Sequence, residues 1–326
     1  MRWATGGRRA LRWVMLLGGM AVAIGLLLYI DRAGTEREGQ DPQAREVPTA
    51  NVPGAAQRDG DTIRIGWTAW RDAEVVTEMT SRLLERAFGL DAELVMADIG
   101  IQYQAVARGG LDVMMMAWLP TTHRAYWQRV GHRVVDLGPL YAGRLGWVVP
   151  AYVPEDVLGS IADLQRPEVA ERVGSRVQGI DPGSGLMQAS ERVVAEYDLT
   201  SIRLVPSSAA AMTAVLDRAI RNQAWVVVTG WEPHWMFARY DLRFLQDPED
   251  VLGGHEQVHV IVRDGFERDF APEVASFLAR LHLPREDLAH MLLRSQEVGV
   301  PRAVDDYLQS HPSRVRYWVT GQLDGG

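Results

Sequence analysis

Apolar residues recur along the chain with two alternating periods. Residues 62–67 (TIRIGW) read as a strand, and residues 73–88 place Val75, Val76, Met79, Leu83, Leu84 and Ala87 at helical spacing. A second strand at 92–96, a helix at 101–108 and a third strand at 113–117 follow, the last running into Trp118-Leu119-Pro120. Past Gly143 the pattern resumes, with strands at 145–150, 177–180, 202–205 and 225–229 and helices at 186–197 and 209–221. A strand at 258–262 then gives way to helical stretches at 271–281, 285–295 and 301–309. Strands alternating with amphipathic helices predict an α/β fold whose parallel sheets carry helices on both faces. The length fits two such lobes better than one, and ligands in folds of this kind bind at the carboxyl ends of the strands.

Residues 13–30 (WVMLLGGMAVAIGLLLYI) depart from this pattern, being eighteen residues without a charge. Arg2, Arg8, Arg9 and Arg12 precede them and acids follow, the arrangement of a chain exported beyond residue 30. At about 1.5 Å per residue a helix over this run spans roughly 27 Å, close to the hydrocarbon thickness of a bilayer. Residues 1–30 therefore read as an export signal or anchor. The uncleaved anchor is favoured because the small-x-small site Ala21-Val22-Ala23 lies inside the apolar run. Residues 31–61 hold Pro, Gly, Gln, Glu and Asp without periodicity and predict a disordered linker. Such a linker reaches roughly 30 Å, enough for a folded module to move above a membrane.

Composition narrows the chemistry. The 326 residues include no cysteine, and all 34 basic residues are arginine. Thiol nucleophiles, Cys-ligated zinc, Schiff-base lysines and the lysine of a phosphate-binding loop are excluded for want of the residue. Beyond residue 30 the remaining 30 arginines face 42 acids, a balance of −12. No basic patch interrupts that surface, so nucleic acid is not a partner. An acidic, lysine-free surface suits saline surroundings, and a biased nucleotide composition would produce the same replacement of Lys by Arg.

Three tryptophans stand where predicted strands end: Trp70 after IRIGWTA, Trp118 after VMMMA and Trp231 after WVVVTG. One such ring is ordinarily core packing. Three at equivalent strand ends can converge on one cleft, and aromatic faces hold a quaternary ammonium ion, which has no N-H for hydrogen bonding. Residues 179–187 (GIDPGSGLM) turn from a strand into a helix through glycines, leaving backbone N-H groups at a helix start, which bind anions. The segment lacks the third glycine of a dinucleotide fingerprint, where Gln188 stands, and the flanking glycines of a serine-hydrolase elbow, where Pro182 and Leu186 stand. A small carboxylate remains, beside the plainer reading of Ser184 as a helix cap. His123, in AWLPTTH, can donate to the same carboxylate or be structural. His255 and His259 have the spacing of a helical metal pair but flank a strand start, so no metal site is expected, and His234 reads as structural beside Trp231.

Taken together, IGWTAWRDAE (65–74), LDVMMMAWLPTTHRAYW (111–127), VDLGPLY (135–141), QGIDPGSGLM (178–187), SSAAAMTAVLDRA (207–219) and VVVTGWEPHWMFARYDLRFL (226–245) resemble the glycine betaine-binding proteins of ABC importers, the OpuAC type. The resemblance covers residues 62–320. It implies two Rossmann-like lobes, 62–150 plus 258–326 and 151–257, in the type II periplasmic-binding-protein arrangement, with a central ligand cleft and a hinge near 148–150 and 258–262. It implies that Trp70, Trp118 and Trp231 cage a trimethylammonium group and that His123 and the amides of Gly185 and Leu186 hold a carboxylate. The implied ligand is glycine betaine or a related zwitterion such as proline betaine, taken up without catalysis or cofactor and delivered to an ABC permease for osmoprotection. The expected location is periplasmic, tethered to the inner membrane if residues 13–30 are retained. Some choline-binding relatives carry an acid shortly after the first cage tryptophan, and Asp72 stands two residues after Trp70, so choline or carnitine stays open. A membrane-tethered betaine sensor is the other alternative.

Overall fold

The computed structural model describes residues 61–323. The expected anchor, and all of the expected linker but Asp61, lie outside the described residues. Nine strands join in one sheet: β1 (Thr62–Trp67), β2 (Asp91–Met96), β3 (Val113–Leu119), β4 (Val134–Pro150), β5 (Arg176–Gln178), β6 (Arg203–Val205), β7 (Val227–Glu232), β8 (Leu242–Phe244) and β9 (His255–Arg263). Their order is β2-β1-β3-β9-β4-β7-β5-β6, with β8 alongside β4.

Parallel pairing holds within two groups. In the first, β1 lies between β2 and β3; in the second, β5 lies between β6 and β7. Between the groups the expectation of parallel sheets is corrected, because β9 runs antiparallel to β3 and β4, and β4 antiparallel to β7 and β8. Periodicity marks a segment as a strand but carries no direction. β4 is the strand that spans both groups: residues 134–144 pair with β9, residues 144–148 pair with β7, and Arg144 opposes both His255 and Glu232. The change of partner thus falls before the 148–150 stretch singled out in the sequence.

Helices cover the sheet for reasons visible in their residues. The helix Arg71–Phe88 buries Ala73, Val75, Val76, Met79, Leu83 and Leu84 along one face, and Asp72 and Glu74 in its first turn suit the positive end of the helix dipole. It stops at Gly89, whose left-handed φ of 67° lets its N-H return to the carbonyl of Glu85. β3 is buried at all seven positions, as a strand enclosed on both faces must be, and Trp118 is the next-to-last of them. At the other end of β3, buried Asp112 accepts from the backbone N-H of Arg64 at 2.9 Å and from Arg263 Nε at 2.7 Å. That carboxylate ties β1, β3 and β9 together.

Candidate functional site

All three strand-end tryptophans reach the same place. Trp70 caps the helix after β1, Trp118 is the penultimate residue of β3, and Trp231 is the penultimate residue of β7. With His123, Gly185 and Leu186 they line one pocket, and Thr122, Leu145, Ile180 and Ser184 complete its wall. Trp70 and Trp231 have ring centroids 6.4 Å apart with planes at 55°, and Trp118 stands edge-on to Tyr141 at 6.2 Å.

Carboxylates fix two of these rings from behind. Trp70 Nε1 donates to Asp181 Oδ1 at 2.8 Å, and Trp231 Nε1 donates to Asp72 Oδ1 at 3.2 Å. The other oxygen of Asp72 accepts from Tyr141 Oη at 2.8 Å. Asp72 therefore sits behind the wall rather than on it. Burial pushes its carboxyl up to about 6, against the downward pull of the Tyr141 and Trp231 hydrogen bonds. Burial also raises Asp181, which the Trp70 bond opposes.

The same pocket is lined by His123, whose ring lies 6.3 Å from that of Trp70, and by a helix start. The backbone N-H of Trp118 donates to His123 Nδ1 at 3.1 Å, which assigns the ring proton to Nε2. Burial pushes His123 down to about 3, with a smaller upward pull from the Met116 backbone, so the ring is a neutral N-H donor near pH 7. Opposite it begins the helix Gly185–Glu196. Ser184 caps it as the plainer reading expects, its Oγ accepting from Met187 N at 3.2 Å. The N-H groups of Gly185 and Leu186 lie ahead of the first helical bond and have no acceptor among the described residues. A Cβ at Gly185 would overlap the Thr122 carbonyl and come within 2.7 Å of His123 Cδ2, so glycine is what permits the approach.

Several residues that shape the site escaped the sequence reading of roles, although two of them, Tyr126 and Asp181, sit inside the quoted segments. Asp181 is one. Tyr126 is another, its hydroxyl donating to Gly183 O at 2.6 Å and accepting from Gln188 Nε2 at 2.7 Å. Glu256 on β9 accepts from the N-H groups of Thr121 and Thr122, which holds the His123 loop in place. Each acts across a large sequence separation that no local pattern reports. His234 packs edge-on against Trp231 at 4.6 Å, while His259 faces Asp136 at 2.9 Å from within β9 rather than pairing with His255.

A family profile for the substrate-binding domain of ABC-type glycine betaine transport systems matches residues 61–310. The crystal structure of lactococcal OpuAC, closed and complexed with glycine betaine, is 33% identical with a TM-score of 0.74, covering 80% of this chain and 100% of that one. ProX of Borrelia burgdorferi, a glycine betaine and L-proline ABC transporter binding protein, is 30% identical with a TM-score of 0.74, covering 79% and 96%. The glycine betaine/carnitine transport binding protein GbuC of Listeria monocytogenes is 34% identical over 165 residues, 49% of this chain and 55% of its own length. The chain thus spans about half the length of that curated relative. The chain belongs to the family of substrate-binding domains of ABC-type glycine betaine transport systems. It is a family of extracytoplasmic binding proteins, with a type II periplasmic-binding-protein fold, and not of enzymes. Among the described residues no helix is long and apolar enough to cross a membrane.

Proposed function

We propose that this chain captures glycine betaine, or a near relative such as proline betaine, and delivers it to an ABC permease. The observation that carries the reading is one pocket lined together by three tryptophan rings, by His123 and by Gly185 and Leu186 at a helix start. A trimethylammonium group offers no N-H, so ring quadrupoles must hold it, at about 0.5 to 2 kcal/mol per face before ordering costs. A carboxylate beside Gly185 would meet a helix start and a neutral imidazole donor, neither of which requires lysine or a metal. The ionised form of Asp72 behind Trp231 adds negative charge near the cationic end. That supports the second reading, choline or carnitine in the same cavity.

In this reading the first and second groups of strands are two lobes that close over the ligand. Their hinge is assigned to the place where β4 exchanges β9 for β7, at Arg144 and His255. Residues 13–30 are proposed as the membrane anchor. The deciding experiment is a tryptophan fluorescence titration with glycine betaine, proline betaine, carnitine and choline in competition. Saturable binding with the betaines tightest is expected. Choline as the tightest ligand would replace the carboxylate reading, and no response to any of the four at millimolar concentration would sink both.

A further inference from the structure

Trp70 and Trp231 come from opposite groups of strands, and each donates its indole N-H to a carboxylate of the other group. Trp70, after β1, reaches Asp181 in the loop after β5 at 2.8 Å. Trp231, on β7, reaches Asp72 in the first turn of the helix after β1 at 3.2 Å. The short segment 70–72 thus donates one of the two bonds and accepts the other. We infer that this crossed pair is a latch that makes completion of the aromatic cavity and closure of the cleft one event, with Asp72 and Asp181 as positioning residues acting through the rings. The inference rests on the betaine reading of the cavity.

An indole N-H can only donate, and both rings are buried, so separating the groups breaks both bonds and frees both rings together. The 55° angle between Trp70 and Trp231 is set from the two sides of the cleft. Tyr141 holds the second oxygen of Asp72 and keeps that carboxylate from turning away. Asp181 Oδ2 is buried without a partner, so among the described residues the bond from Trp70 is the side-chain hydrogen bond that orients this carboxylate. An ionised acceptor also strengthens each bond and polarises the indole whose face would meet the cation. The carboxylates therefore help in two ways, by orienting the rings and by enriching their faces.

The test is a double-mutant cycle on the full chain, read by glycine betaine titration and by stopped-flow dissociation. Trp70→Phe keeps an aromatic face without the N-H, Asp181→Ala removes the acceptor, and Asp181→Asn keeps an amide oxygen. Each of the first two should weaken binding roughly ten-fold through faster dissociation, with the double variant no weaker than either alone. Asp181→Asn should recover part of the loss. An unchanged Asp181→Ala, or a double variant weakened by the product of the two single effects, overturns the latch while leaving the site intact. Should Asp181→Ala fail to fold by circular dichroism, Asp181→Asn takes its place in the cycle under the same criterion. Trp231→Phe with Asp72→Asn examines the second bond in the same way. A parent chain that binds no betaine overturns the ligand reading and the latch with it; a binding parent with indifferent variants overturns the latch alone.

Discussion

At the scale of single residues, three buried titratable groups beside the cavity set how stability responds to acid. Burial pushes His123 and His234 down to about 3. The unfolded chain binds protons at both below about pH 6.5 while the folded chain does not, so their contribution is present above that pH and is lost as pH falls toward 3. Asp72, pushed up to about 6, has the opposite sign: its contribution is full below about pH 4 and is lost as pH rises through about 6. At pH 5 each histidine costs about 2 kcal/mol and Asp72 offsets about 1, a loss of about 3 kcal/mol from these three groups relative to pH 7, which the raised Asp181 and Glu256 carboxyls reduce. Thermal unfolding at the two pH values should show that loss, and His123→Gln should make it shallower. An equal drop in the variant would remove His123 from the explanation. Trp118 offers a separate check on the cavity. Trp118→Ala should weaken betaine about ten-fold or more, while Trp118→Phe, which keeps a ring, should weaken it less. Equal affinity in all three proteins would take Trp118 out of the cage.

At the scale of elements, the proposed closure turns on the start of the helix Gly185–Glu196. Alanine is the better residue in an isolated helix by roughly 1 kcal/mol, yet a Cβ at position 185 would overlap the Thr122 carbonyl across the cleft. Gly185→Ala should therefore keep the parent unfolding temperature and lose at least about ten-fold in betaine affinity. Small-angle scattering should show no ligand-induced compaction. Parent-like affinity would mean that closure is looser at this point than the structure shows. The elements themselves were unevenly legible. The helix Ala209–Arg221 and β1 fall where periodicity puts them, since each is long enough or regular enough to show one face. The first half of β4 did not show itself. Gly138, Pro139 and Gly143 interrupt it, its pairing with β9 shifts register twice, and its residues alternate irregularly between burial and exposure. The helices Arg124–Val130, Pro167–Arg172 and Trp235–Arg239 span less than two turns or barely that, too short for a period to emerge.

For the whole molecule, the acidic and lysine-free composition makes a measurable claim. A balance of −12 beyond residue 30 repels itself, and simple screening relieves that repulsion at modest salt. Above about 1 M the screening length has already shrunk to about 3 Å. If the surface is adapted to saline surroundings, as an osmolyte binder's would be, the unfolding temperature should keep rising there. A plateau would assign the arginines to nucleotide composition instead.

The sequence alone determined the α/β class, the residue types of the cavity and the positions of its aromatic and glycine-rich segments. These depend on local periodicity and on short motifs, which a linear reading preserves. It also placed Trp70, Trp118 and Trp231 at strand ends. Only the tertiary structure decided that β4 and β9 run antiparallel and join the two parallel groups into one sheet. Only it put Asp72 behind Trp231 and Asp181 beside the Trp70 N-H, because these bonds join residues 159 and 111 positions apart. Strand direction and cross-cleft partners are consequences of packing, and packing is settled only when distant segments compete for the same buried donors.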